Sequence, residues 1–174
     1  MRVIAWAAGG IAVLAVAAFA VARSAAGPSL GERVYDYAGG QHQDGEIAYR
    51  ETPPVGGPHN PVWQNCGIYD QPIGDEHGVH TLEHGAVWIT YRPGLPPAEL
   101  GLLKKLAARD YLLLSPYPGL PAEVVVSSWN RQLVLDGAAD KRLPEFIRRF
   151  TMSPELAPEP GAPCTQGTGE PSSA

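Results

Sequence analysis

Positive charge is scarce in this sequence and is nowhere gathered. Its 13 Lys and Arg residues are set against 18 Asp and Glu, for a formal charge of -5, and no basic cluster exceeds the pairs Lys141-Arg142 and Arg148-Arg149. Holding a phosphate backbone takes a stripe of cations, so nucleic acid is excluded as a partner. No glycine-rich loop of the P-loop or dinucleotide type is present, and no local motif supports a Ser, His and Asp set. An internal repeat of useful period is also missing, which excludes a solenoid. The 174 residues allow one domain of ordinary size once an N-terminal segment and a tail are set aside.

Cysteine is nearly absent too, with two residues, Cys66 and Cys164. Their pairing is preferred over two free thiols, and a disulfide-bonded Cys66 is not available as a metal ligand. An exported compartment permits that disulfide. Closing a loop of about 100 residues stabilises by roughly 4 to 5 kcal/mol in the chain-entropy model.

What the sequence does contain, at its start, is a long apolar run. Residues 3–22 (VIAWAAGGIAVLAVAAFAVA) carry no charged side chain. A helix of that length reaches about 30 Å, the thickness of a hydrocarbon core. The competing reading is a cleaved signal peptide, because Ala18-Phe19-Ala20 and Ala20-Val21-Ala22 are small-x-small sites. The run exceeds the roughly 7 to 15 residues of a signal-peptide core, so an uncleaved anchor is favoured. Arg2 precedes the span and Arg23 and Arg33 follow it, so charge barely encodes orientation; export of the C-terminal part is the simpler outcome. The expected organisation is an anchor over residues 1–23, a connector over 24–40, an extracytoplasmic domain over 41–152, and a tail over 153–174.

Within the domain, an irregular Pro- and Gly-rich stretch runs to about residue 83, with a short strand expected near residues 46–50. It carries Tyr49, Trp63, Tyr69 and every histidine, which argues for order. Residues 86–91 (AVWITY) are β-branched and aromatic and are bounded by Gly85 and Pro93-Gly94, which predicts a strand. Pro96-Pro97 open a helix to about residue 108, with Leu100, Leu103, Leu106 and Ala107 on one face and Lys104, Lys105 and Arg109 towards its end. A strand at 111–114 completes a right-handed βαβ unit with parallel strands. Further strands are expected at 123–129 and 132–135 around Asn130-Arg131, and a closing helix at 141–150. The fold class is α+β, with a small mixed sheet beside a long ordered His-rich loop region. The tail is too poor in apolar residues to order itself, and Cys164 alone is expected to tie it back. Trp63, Tyr69, Trp88 and Trp129 read as packing residues.

The five histidines, His42, His59, His77, His80 and His84, all lie between residues 42 and 84. Imidazole is the commonest ligand for borderline transition metals, and three or four convergent donors define such a site. His80-Thr81-Leu82-Glu83-His84 matches the H-x-x-E-H pattern of inverted zinc peptidases. That mechanism needs a helix through the motif, and Gly85 with the strand behind it argues against one. The expected arrangement instead takes His80 and His84 from a turn and adds His59 from the rigid Gly56-Gly57-Pro58-His59-Asn60-Pro61 loop. Glu83 or His42 completes the set. The plainer alternative has these side chains hydrogen-bonding loop backbone, and for His77, beside Asp75 and Glu76, that alternative is preferred.

Several segments taken together resemble the bacterial domain of unknown function 3105 (DUF3105) family: His42-Gln43-Asp44-Gly45, residues 53–59 (PPVGGPH), Cys66-Gly67-Ile68-Tyr69, residues 80–87 (HTLEHGAV), residues 110–121 (DYLLLSPYPGLP) and Gly161-Ala162-Pro163-Cys164. One departure is Gly56, where the family motif more often has Ser. The resemblance implies a single-span, membrane-anchored protein with an exported domain, and supplies no mechanism. The reading to be tested is therefore an extracytoplasmic domain, held at the cell membrane by residues 3–22, that binds zinc or copper through His59, His80 and His84 with Glu83 as fourth ligand or orienter. Its rivals are a metal-free interaction domain and a metal-dependent hydrolase.

Overall fold

The computed structural model describes residues 29–172. The apolar run at 3–22 lies outside them, and no helix among the described residues is long and apolar enough to cross a membrane. Six strands and three helices follow in the order β1 (Arg33–Val34), β2 (Gly67–Ile68), α1 (Asp75–Glu83), β3 (Val87–Tyr91), α2 (Pro97–Ala107), β4 (Leu112–Pro116), β5 (Val124–Ser128), β6 (Arg131–Leu135) and α3 (Arg142–Phe150). They build one mixed sheet with strand order β1-β6-β5-β3-β4-β2, an α+β fold as expected.

β3 and β4 pair in parallel across α2, with Val87 opposite Leu112 and Ile89 opposite Leu114. Pro97 at the first turn of α2 supplies a preset φ where no intrahelical N–H is needed, and Lys104 and Lys105 stand at its C-terminal end. β5 and β6 form a hairpin with Ser128 opposite Arg131, so the two-residue turn is Trp129-Asn130, one position earlier than expected. Asn130, the second residue of that turn, takes the left-handed conformation, φ 61°, which asparagine tolerates better than most residues.

The central strands read as unbroken apolar runs because both of their faces are covered. Val87, Ile89, Leu112, Leu114, Val124 and Val126 face a core completed by Leu103 of α2 and by Leu143 and Phe146 of α3. Trp88 and Leu113, one residue out of phase, face a second core with Val79 and Leu82 of α1 and Trp129. The period of two in a strand thus assigns alternate side chains to two helix layers.

α1 corrects the expectation of a turn at residues 80–84. His80 to Glu83 are helical, and His84 is the C-cap. Gly85, taken as evidence against a helix, is what ends it. At φ 96°, it donates its N–H to Leu82 O at 3.0 Å, and Ala86 donates to Thr81 O at 3.1 Å. These are the two bonds of a Schellman C-cap. Three further differences concern the irregular regions. No strand forms at 46–50. The edge strands β1 and β2 hold two residues each, too few for any periodicity to show. The tail is held by more than Cys164: Asn65 N–H donates to Thr168 O and Thr168 N–H to Trp63 O, each at 2.8 Å, and Ser172 N–H donates to Ile68 O at 2.7 Å. Cys66 and Cys164 form the expected disulfide, with Cα atoms 5.3 Å apart.

Gly78 sits inside α1 with the Trp88 ring where its side chain would be: a Cβ would stand 2.8 Å from Trp88 Cζ3. In an open helix, Gly→Ala stabilises by about 1 kcal/mol. Here Gly78→Ala is expected to destabilise by about 1 to 2 kcal/mol through overpacking against a buried indole, read as a lower urea midpoint. A raised midpoint would show that α1 is free to move off the sheet.

Candidate metal centre

The site forms where the C-terminal end of α1 meets the start of β3 and the β5–β6 turn. Because β5 runs antiparallel to β3, with Ser127 opposite Trp88, the hairpin turn lies at the end of the sheet where α1 arrives. Asn130 then fastens the incoming loops there. Its Oδ1 accepts from Tyr37 N–H at 2.7 Å, its Nδ2 donates to Tyr37 O at 3.0 Å, and its own N–H donates to Val55 O at 2.9 Å. The loop of residues 56–64 is tied onto α1 by Thr81 Oγ1, donating to Gln64 O at 2.8 Å, and by Gln64 N–H, donating to His77 O at 3.1 Å. Tyr49 adds a hydroxyl bond to Pro58 O at 2.7 Å.

These constraints bring His42, His59, His80 and Glu83 together, with one donor atom from each lying within 4.8 Å of all the others. His59 and Glu83 are wholly buried and His80 is nearly so; His42 is exposed. His42 reaches the group through a short parallel bridge in which Gln43 N–H donates to His59 O at 2.8 Å and His59 N–H to Gln41 O at 2.9 Å. Its ring stacks on that of His80 at 5.1 Å.

Backbone carbonyls decide the tautomers. His59 Nδ1 lies 2.9 Å from Gly57 O, His80 Nδ1 2.6 Å from Asn60 O, and His84 Nδ1 2.7 Å from Pro163 O. A carbonyl only accepts, so each Nδ1 carries the proton and each neutral ring has a bare Nε2. Holding the remote ring nitrogen on a carbonyl is the outer-shell arrangement that orients metal-binding imidazoles. Glu83 has one oxygen satisfied, Oε1 accepting from Gly40 N–H at 2.6 Å. Its Oε2 lies 2.9 Å from His59 Nε2, yet neither atom has a hydrogen-bond partner. The contact is one of charge without the alignment of a hydrogen bond.

Burial opposes charge on both members of this pair. It pushes His59 down and Glu83 up, but each partner outweighs it, so His59 ends above the ordinary imidazole value and Glu83 below the ordinary carboxylate value. His80 has no such compensation: burial, with His84 and His59 nearby, takes it down to about 4. Burial also lowers His84. At neutral pH His80 is therefore an uncharged ring with a free lone pair.

Of the residues expected at the site, His59, His80 and Glu83 converge, and His42, named only as an alternative fourth member, joins them. His84 stands beside the group and not within it. Its ring centroid is 4.5 Å from that of His80, but its Nδ1 is bound to the tail and its Nε2 lies 3.8 Å from Glu159 Oε2. His77 lies apart, with Nδ1 on Val62 O at 2.5 Å. Sequence reasoning missed the parts that act through the backbone, namely Gly40 N–H and the carbonyls of Asn60 and Pro163, for which residue type gives no signal. It also missed Trp63 as a wall of the site, 5.8 Å from the His80 ring and 5.1 Å from that of His84.

Fold and site together define a small α+β domain, closed by a disulfide, around a buried cluster of histidines and one carboxylate. The chain belongs to the DUF3105 family: the model for this family, described as a protein of unknown function (DUF3105), matches residues 41–166. No curated protein and no solved structure matches the chain. The family assignment agrees with the resemblance of the motifs and supplies no activity.

The depressed His80 sets a pH dependence. An unfolded chain protonates this ring near 6.5 and the folded domain only near 4. The stability contributed by the neutral ring is thus full above about pH 6.5 and is lost as pH falls through 4. His80→Asn, whose amide can still donate to Asn60 O, is expected to flatten the metal-free chain's stability profile over that window. The slope should change by up to one proton, about 1.4 kcal/mol per pH unit, in urea unfolding at a series of pH values. An unchanged slope would mean that His80 is already protonated in the folded chain.

Proposed function

We propose that this domain binds a divalent transition metal ion, zinc or copper, through His42, His59, His80 and Glu83. The observation that carries the proposal is the buried pair His59 Nε2 and Glu83 Oε2, 2.9 Å apart and without a hydrogen-bond partner on either atom. A cation between the two satisfies both at once, and the bare Nε2 of His80 adds a third donor. Imidazole with carboxylate is a donor set of borderline hardness that suits these metals. A tetrahedral site with bonds of about 2.0 to 2.1 Å needs donors about 3.4 Å apart, and with donors lying within 4.8 Å of one another binding draws the widest pair together by up to about 1.4 Å. His42, exposed and carried on the segment between Gly40 and Gly45, is the donor freest to make that movement.

The same geometry separates this reading from a hydrolase. Glu83 has one oxygen committed to Gly40 N–H and the other aimed at His59, which supports a ligand role for it over one beside a bound water. The cellular setting belongs to the proposal as well: residues 3–22 anchor the chain in the cell membrane with the domain on the extracytoplasmic side. The disulfide supports that placement because it is stable in an oxidising compartment.

Metal content and zinc or copper titration of the full chain test the reading. One equivalent is expected per chain. His59→Ala and His80→Ala should each weaken binding by roughly 100-fold or more, and His42→Ala by roughly 10-fold, since its exposed ring has water as a ready substitute. His84→Asn should keep the stoichiometry. A folded wild-type chain that takes up neither metal would sink the proposal.

A further inference from the structure

Residues 157–164 cross the end of α1 as a strap. The last carbonyls of a helix have no partner inside it. Here Glu159 N–H donates to Glu83 O at 3.0 Å and Gly161 N–H to His84 O at 3.1 Å, while Pro163 O takes the Nδ1 proton of His84 at 2.7 Å. Pro158 packs over Gly39, where a Cβ would stand 2.5 Å from it. The next residue, Gly40, gives its N–H to Glu83 Oε1. The strap therefore bears on the backbone of Glu83 and His84 and on the loop that closes over the Glu83 carboxylate.

Little apolar burial keeps the strap in place. Between residues 153 and 172 only Ala157 and Cys164 are buried. The strap has no ladder of its own, and its far end is fixed by the Cys66–Cys164 bond and by Cys66 N–H donating to Cys164 O at 2.7 Å. An irregular segment with so little buried surface does not offset its own ordering entropy, so its position depends on the covalent link together with the bonds that Tyr111, Trp63 and Asn65 make to residues 162–169.

We infer that the Cys66–Cys164 disulfide controls the metal affinity of the His/Glu cluster, so that reduction by a dithiol loosens the strap and releases the ion; this rests on the metal-binding reading above. The redox step needs a dithiol donor. One of its thiolates attacks a sulfur of the Cys66–Cys164 bond, releasing one cysteine and forming a mixed disulfide, and its second thiolate attacks that bond and displaces the other cysteine. Two electrons and two protons pass to the cysteines, which become thiols, and the donor leaves as its own disulfide. The strap then loses its covalent anchor, the carbonyls of Glu83 and His84 lose their donors, and His84 Nδ1 loses its acceptor.

The test compares the zinc affinity of the oxidised full chain with that of Cys66→Ala/Cys164→Ala, alanine being used because free thiols would themselves ligate zinc. The zinc Kd should rise at least about tenfold, in the range of outer-shell losses. At the same time the Glu159 and Gly161 amides should change from slow to fast hydrogen exchange, with the amides of β3 to β6 still protected. An unchanged Kd once the strap amides have become fast, or strap amides that stay slow, would overturn the inference. If the double variant loses sheet protection, Gly161→Ala decides. It keeps the disulfide and strains a residue at φ 89°, and is expected to weaken zinc several-fold; unchanged affinity would overturn the inference. Absence of zinc binding in the oxidised wild-type chain is a separate outcome, and overturns the metal reading itself.

Discussion

Glu83 has no exposed surface, and an isolated carboxylate in that position would cost several kcal/mol, a large part of what a domain of this size has to spare. Everything near it can be understood as compensation. Gly40 N–H is turned onto one oxygen, and the charge of His59 is set against the other. The remaining misalignment between His59 Nε2 and Glu83 Oε2 is a demand that the protein atoms leave unmet. A buried pair in which neither atom is hydrogen-bonded is costly to maintain. A cation supplied from outside would remove that cost, which is the thermodynamic ground of the proposed metal binding.

The sheet explains why so much irregular chain can be held rigid around this point. Two parallel and three antiparallel pairings build the sheet around β3 and β5 and leave their side chains buried on both faces, so the frame owes little to the loops. One end of the frame then receives α1, the hairpin turn and the loop at 56–64, each fixed by side chains that bond backbone: Asn130, Thr81, Tyr49 and Gln132, whose Nε2 donates to Pro53 O at 2.9 Å. Segments without ladders of their own need such partners for their amides. The edges are modest by comparison, with two-residue strands and a returning tail that bonds Ile68.

Legibility in the sequence follows burial symmetry. β3, α2, β4, the hairpin and α3 were legible because each has a periodic pattern or a turn signal that marks its ends. α1 was not. Its residues from Gly78 to Glu83 are buried together, so no polar face alternates with an apolar one, and it contains a glycine that exists to admit Trp88. The glycine that follows was informative only once its left-handed φ was known, because Gly85 ends a helix as readily as it opens a strand. The cluster itself was half legible. Histidine type and proximity in sequence pointed to His59, His80 and Glu83, whereas the choice between His42 and His84 as the companion depends on which way a loop approaches, and that is a tertiary fact.

That choice also settles how the five residues from His80 to His84 should be understood. On a helix, positions three and four apart share a face, so His80 can converge with either Glu83 or His84. In the peptidase arrangement the two histidines bind and the glutamate is left free to act on water. Here the third donor, His59, arrives on the side of Glu83, and the tail arrives on the side of His84, taking its Nδ1 proton at Pro163 O and standing Glu159 opposite its Nε2. The spacing of the motif is common to both arrangements. What distinguishes them is the direction from which the rest of the chain meets the helix, so the five-residue pattern cannot carry a catalytic assignment apart from the fold that presents it.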